Sequence, residues 1–78
     1  MQNQNTKIIL ETKNFLFAQL YMIGIPRPEI FISQDHNGHF NIKINFFHNG
    51  IKYKKNERNK CAKSSSLKLI NDIKGVLS

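Results

Sequence analysis

An α+β fold is predicted by three features of the chain. A helical apolar stripe ends at Gly-Pro punctuation, a block of strict alternation sits between two turn signals, and a second helical stripe closes the chain. Together they predict the order α-β-β-β-α, a two-layer sandwich in which a three-stranded antiparallel sheet carries both helices on one face. The 78 residues suffice for one small domain. A chain of this size buries only ~60–65% of its unfolded surface.

The opening MQNQNTK is polar, and KIIL after it is apolar but short. Residues 1–11 are therefore expected to be a flexible arm or an extra helical turn, with the domain proper at residues 12–78. Helix 1 is predicted over residues 12–23. Thr12 or Asn14 can cap it, and Leu16, Leu20 and Ile23 recur at spacings of four and three. Gly24 ends it, and Pro26 and Pro28 prevent its resumption.

Residues 29–34 (EIFISQ) are rich in strand formers, and the DHNG cluster after them signals a tight hairpin. In the second strand, residues 39–47, Phe40, Ile42, Ile44 and Phe46 face one way and Asn41, Lys43 and Asn45 the other. His48-Asn49-Gly50 is a second turn. A third strand is expected over residues 51–55 with Ile51 and Tyr53 inward, followed by a polar connector at residues 56–59. The last helix carries Ala62, Ser66, Leu69, Ile70, Ile73 and Leu77 on one face. Its small residues, Ala62 and Ser64 to Ser66, let it lie close against a neighbour.

The formal charge is +7, and it is unevenly placed. Up to Asn49, four cations face three acids; from Gly50 onward, eight cations face Glu57 and Asp72. One strongly basic half points to a polyanionic partner. Arg58, Lys60 and Lys63 cluster around the expected start of the last helix, where free backbone N–H groups and the helix dipole already favour anions. Phosphate is the natural ligand there, and Lys55 and Asn59 extend the cluster.

Several function classes have little support in the chain. The longest apolar stretch, running from Phe15 to Ile23, is interrupted by Gln19, so no membrane span is expected. One cysteine permits no internal disulfide, and the N-terminus lacks the pattern of a secretory signal. An intracellular setting, cytoplasm or nucleus, is expected. The scattered acids and the isolated Cys61 offer no catalytic apparatus. His36 and His39 have ligand-like spacing but no partner to complete a metal site. No enzyme, metal or cofactor is expected.

With this order in place, the C-terminal third resembles the double-stranded RNA-binding domain, as a divergent member. That family's last helix opens on a pattern like KKxAKxxAAxxAL. Here Lys60, Ala62 and Lys63 match it directly, with Ser65 and Ser66 where small alanines are usual. Gly24-Ile25-Pro26-Arg27-Pro28-Glu29-Ile30 is similar to the family's link from helix 1 to strand 1. Phe40-Asn41-Ile42-Lys43-Ile44 is similar to its second strand, and Gly50 with Tyr53 to its following hairpin.

The resemblance implies duplex RNA binding by shape and charge, within an RNA-processing or RNA-silencing protein. Such domains touch two minor grooves and the major-groove phosphates between them. Lys60 and Lys63 take the phosphate role; Asn59 stands where the family usually has a cation. Gln19, His36 and His39 are the candidates for minor-groove contact. The loop between strands 1 and 2 is shorter than the family's and lacks its proline. Helix 1 presents Phe17 and Ala18 where the family presents polar groups. Weak duplex binding is expected. The alternative is a protein-interaction or homodimerisation module on the same fold, using a surface around Phe17, Phe31 and Phe47.

Overall fold

The computed structural model describes residues 3–78. Helix α1 spans Asn3–Met22, strands β1, β2 and β3 span Glu29–Gln34, Phe40–His48 and Ile51–Asn59, and helix α2 spans Ala62–Leu77. The sheet is antiparallel in the order β1-β2-β3. Both helices lie on one of its faces, α1 against β1 and α2, and α2 against β2 and β3. The expected two-layer α-β-β-β-α architecture is thus what the chain adopts.

The core lies between the layers. Leu16 and Leu20 from α1 and Leu69, Ile70 and Ile73 from α2 pack onto Ile30, Ile42, Ile44 and Phe46. The alternation of β2 decides which face this is, because Phe40, Ile42, Ile44 and Phe46 are all buried. Burial of such side chains is worth about 1.5–3 kcal/mol each. A core this small is therefore sensitive to any single change in it.

Helix α1 is longer than its periodicity suggested. From Asn3 the expected arm is helix, while Met1 and Gln2 lie outside the described residues. Twenty residues give a rod of about 30 Å, in a molecule 42 Å along its long axis. Ile8 and Leu10 on its first half remain exposed.

The helix ends where Gly24 was expected to end it. The Gly24 N–H donates to the Tyr21 carbonyl at 3.2 Å, and the Ile25 N–H to the Leu20 carbonyl at 2.8 Å. This is a Schellman motif, with Gly24 at φ +100° in the left-handed position and Leu20 meeting Ile25 in the core.

Strand β1 falls on the expected residues, and β2 is shifted by one, starting at Phe40 and reaching His48. Asn49 and Gly50 both take positive φ, 55° and 79°, as a two-residue type I′ hairpin requires.

Strand β3 differs more. Residues 56–59, expected as a connector, continue the strand and pair with Phe40, Asn41, Ile42 and Lys43 of β2. Polar side chains gave no strand signal there; the long partner strand supplies the hydrogen bonds. Ile51, expected inward, is 55% exposed. It pairs with His48 at the hairpin tip, where neither residue is buried. Tyr53 does face inward, its ring stacked on Phe46 with centroids 5.3 Å apart.

Candidate nucleic-acid interface

The start of α2 is built by the residues around Cys61. Asn59 Oδ1 accepts a hydrogen bond from the Cys61 N–H at 3.0 Å, turning the chain out of β3. Cys61 is then the N-cap residue in extended conformation, and its side chain makes no capping hydrogen bond. The first turn of α2 holds no acidic residue. Free N–H groups at a helix start carry partial positive charge, and a cation there costs about 0.3–1 kcal/mol.

Two cations nevertheless sit there. Lys60 precedes the cap, and Lys63 is the second residue of the helix. Both are exposed, and neither has an ion-pair partner among the described residues. The Cys61 thiol responds to the same field. The Ser64 hydroxyl first, then the Ser64 and Lys63 backbone N–H groups and the Lys63 charge, outweigh desolvation and hold its pKa below the ordinary thiol value.

Packing fixes this helix start against α1. Ser65 and Ser66 are completely buried, so the two helices approach closely. Glu11, Thr12 and Phe15 of α1 line a groove of about 200 Å³ with Lys63 and Ser66. Glu11 was not singled out from the sequence, and Thr12 only as a candidate helix cap. Their place beside Lys63 depends on how α1 crosses α2, which no local pattern encodes.

The remaining cations of the expected cluster go elsewhere. Arg58 lies in β3 opposite Asn41, on the sheet face away from the helices. Its Nε donates to Asp35 Oδ2 at 2.8 Å, across β2. Lys55 is half-buried on the helix-facing side, opposite Ile44. Four residues of strand, about 13 Å, separate it from Asn59. Alternation within the expected strand already turns Lys55 to the side of Tyr53; Arg58 fell in the expected connector, so its face was not legible. With Tyr53 inward, Lys55, Glu57 and Asn59 follow inward, and Lys52, Lys54 and Arg58 outward. Glu57 uses this placement to reach Lys68 of α2 at 3.5 Å.

Asp35 organises the loop between β1 and β2. Its carboxylate accepts the Asn37 and His39 N–H groups at 2.9 and 3.0 Å as well as Arg58. The Gly38 N–H donates to the Asp35 carbonyl at 3.1 Å, and the Asp35 N–H to the His39 carbonyl at 3.0 Å. Gly38 at φ +82° completes a tight hairpin. Desolvation opposes ionisation of Asp35. The Arg58 bond and the two backbone N–H groups outweigh it, and the pKa falls to about 2.

No family model, curated protein or solved structure matches this chain. The site therefore rests on its own geometry. His36 is exposed on the hairpin, and His39 is half-buried behind it with its Nδ1 3.9 Å from Asp35. The hydrogen bonds between Asp35 and His39 close the hairpin at its base and leave a short loop to carry His36. Gln19 is half-buried on α1. No group of three His, Cys, Asp or Glu that could hold a metal occurs among the described residues. No helix there is long and apolar enough to cross a membrane.

Phe17, Phe31 and Phe47 do not form one surface. Phe17 belongs to α1 in the helix layer, whereas Phe31 and Phe47 project from the opposite face of the sheet.

Proposed function

We propose that this chain is a duplex-RNA-binding module that grips the phosphate backbone with the start of α2. The observation that carries this reading is a helix start without an acidic residue in its first turn, flanked by exposed Lys60 and Lys63, neither of which has an ion-pair partner among the described residues. Such an arrangement opposes the helix dipole until an anion arrives, and a phosphate satisfies dipole, backbone N–H groups and lysines together. The resemblance to the double-stranded RNA-binding domain points to the same residues. The module is non-catalytic and acts inside the cell, in cytoplasm or nucleus, as part of an RNA-processing or RNA-silencing protein. The tight β1–β2 hairpin and the apolar surface of α1 leave α2 as the main contact, so affinity is low.

Titration of a labelled RNA duplex of about 20 bp at about 50 and 200 mM salt tests this, since phosphate contacts weaken steeply as salt rises. Lys60→Ala and Lys63→Ala should each flatten the dependence of log K on log salt by roughly one unit. Absence of binding at the lower salt would end the reading.

A second reading, a protein-interaction or homodimerisation module, draws on α1. Leu10, Tyr21 and Met22 are all more than half exposed. Sedimentation equilibrium tests it: a strict monomer at high concentration rules out self-association.

A further inference from the structure

The open face of the sheet carries a second set of residues that the duplex reading does not use. Phe31 on β1 and Phe47 on β2 project from it, 55% and 68% exposed. Lys43, Lys52, Lys54 and Arg58 share that face, and all four are exposed. Glu29 is the one acid among its strand residues, and Asp35 at its rim is held by Arg58. Neither helix covers the face, since both pack on the other side of the sheet.

Each phenylalanine borders its own depression. One of about 520 Å³ is walled by Phe31 with Lys43, Arg58, Asn41 and Asn56, and Glu57 also lines it, its carboxylate turned to Lys68 on the other side of the sheet. The other, of about 140 Å³, is walled by Phe47 with Arg27, Lys52 and Asn45, whose amide donates to Glu29 on the same wall at 3.4 Å. Both combine an aromatic face, cations and a side-chain amide. That combination suits a nucleotide: the ring stacks on the base, the cations neutralise phosphate, and the amide can bond to the base edge.

We propose that this face is a site for single-stranded nucleic acid, in which unpaired bases stack on Phe31 and Phe47 while Lys43, Lys52, Lys54 and Arg58 hold the strand's phosphates. The inference does not depend on the duplex reading, which uses the opposite layer. A duplex cannot use this face in the same way, because its bases are already stacked within the helix and stacking on a sheet requires splayed ones. A second copy of the chain does not fit either, because two such faces would bring like charges together.

Geometry also sets the minimum ligand. Phe31 pairs with Lys43, and Phe47 lies four residues further along β2. That places the two rings' attachment points about 14 Å apart, from roughly 13 Å along the strand and 4.8 Å across it. One base cannot reach both rings, so the site takes a short run of nucleotides. The Lys52 ammonium now lies 5.9 Å from the centroid of the Phe47 ring. A base stacking there sends it to the neighbouring phosphate.

The test uses the full chain and a labelled oligouridylate of about 10 nucleotides. Phe31→Ala and Phe47→Ala should each weaken its binding by roughly 5- to 150-fold, the equivalent of one lost stack. Phe31→Tyr and Phe47→Tyr should retain it. Lys60→Ala with Lys63→Ala should change it by no more than about twofold, as distant sites act independently. The chain has no tryptophan, so Phe47→Trp gives a clean reporter whose fluorescence a stacked base should quench. Unchanged affinity in both alanine variants, or no quenching on saturation, would overturn the proposal. So would loss of oligouridylate binding in the Lys60/Lys63 variant, which would put the strand on α2. A concentration-dependent mass abolished by Phe47→Ala would overturn it in favour of a protein partner. Failure of duplex binding alone would bear only on the α2 site.

Discussion

Ser65 and Ser66 are neighbours in α2, equally buried, and differ in one respect. The Ser66 hydroxyl donates to the Ala62 carbonyl at 2.8 Å, whereas the Ser65 hydroxyl has no partner among the described residues. Replacing each by alanine removes one oxygen and improves helix propensity by the same amount, about 0.5 kcal/mol. The two variants therefore differ in what the hydroxyl was doing. Ser66→Ala loses a hydrogen bond worth about 1 kcal/mol net, while Ser65→Ala relieves an uncompensated desolvation of about 1–3 kcal/mol. Ser65→Ala should exceed Ser66→Ala in stability by at least about 2 kcal/mol. At roughly 4–8 °C per kcal/mol for a domain this small, Tm should rise for Ser65→Ala and fall slightly or stay level for Ser66→Ala. Thermal unfolding followed by circular dichroism, with urea m-values as a check on compactness, reads the difference. A Ser65→Ala variant no more stable than Ser66→Ala would refute the reasoning and show that Ser65 is hydrogen-bonded. Neither serine reaches the surface, so duplex binding should be unchanged in both.

Two further perturbations address the elements that shape the surfaces. Asp35 has its pKa lowered from 3.8 to about 2 by its contacts. Its contribution to stability is therefore complete above pH 3.8 and lost as pH falls toward 2. The Tm gap between the parent and Asp35→Asn should close over that interval, and a gap unchanged from pH 5 to pH 2 would contradict it. Gly24 has φ +100° and open space where a Cβ would point, so Gly24→Ala is opposed by backbone strain alone. Strain of about 1–2 kcal/mol, partly offset by a stiffer unfolded chain, should leave a loss near 1 kcal/mol, with Gly24→Asn less affected. An unaltered Tm for Gly24→Ala would refute the Schellman assignment.

The fold was legible where local chemistry is decisive. The Gly24–Pro26 stop, the alternation of β2 and the Asn49-Gly50 turn each impose a conformation through a few neighbouring residues. The place of Lys60 and Lys63 at the start of α2 was legible for the same reason, since both adjoin a helix start with a recognisable apolar stripe. Arg58 was not. Its end of β3 is polar in sequence and exists because Phe40 to Lys43 offer it hydrogen bonds, so its face follows from pairing.

Taken alone, the sequence determined the order of elements, the composition of the core and the asymmetry of charge. These depend on residue identity and on spacings within one element. The tertiary structure decided which cations act together. It parted Arg58 from Lys60 and Lys63, closed the β1–β2 hairpin around Asp35, and set Phe31 and Phe47 among four cations on the uncovered side of the sheet. Those relations join residues distant along the chain, and strand register and helix packing alone bring them together.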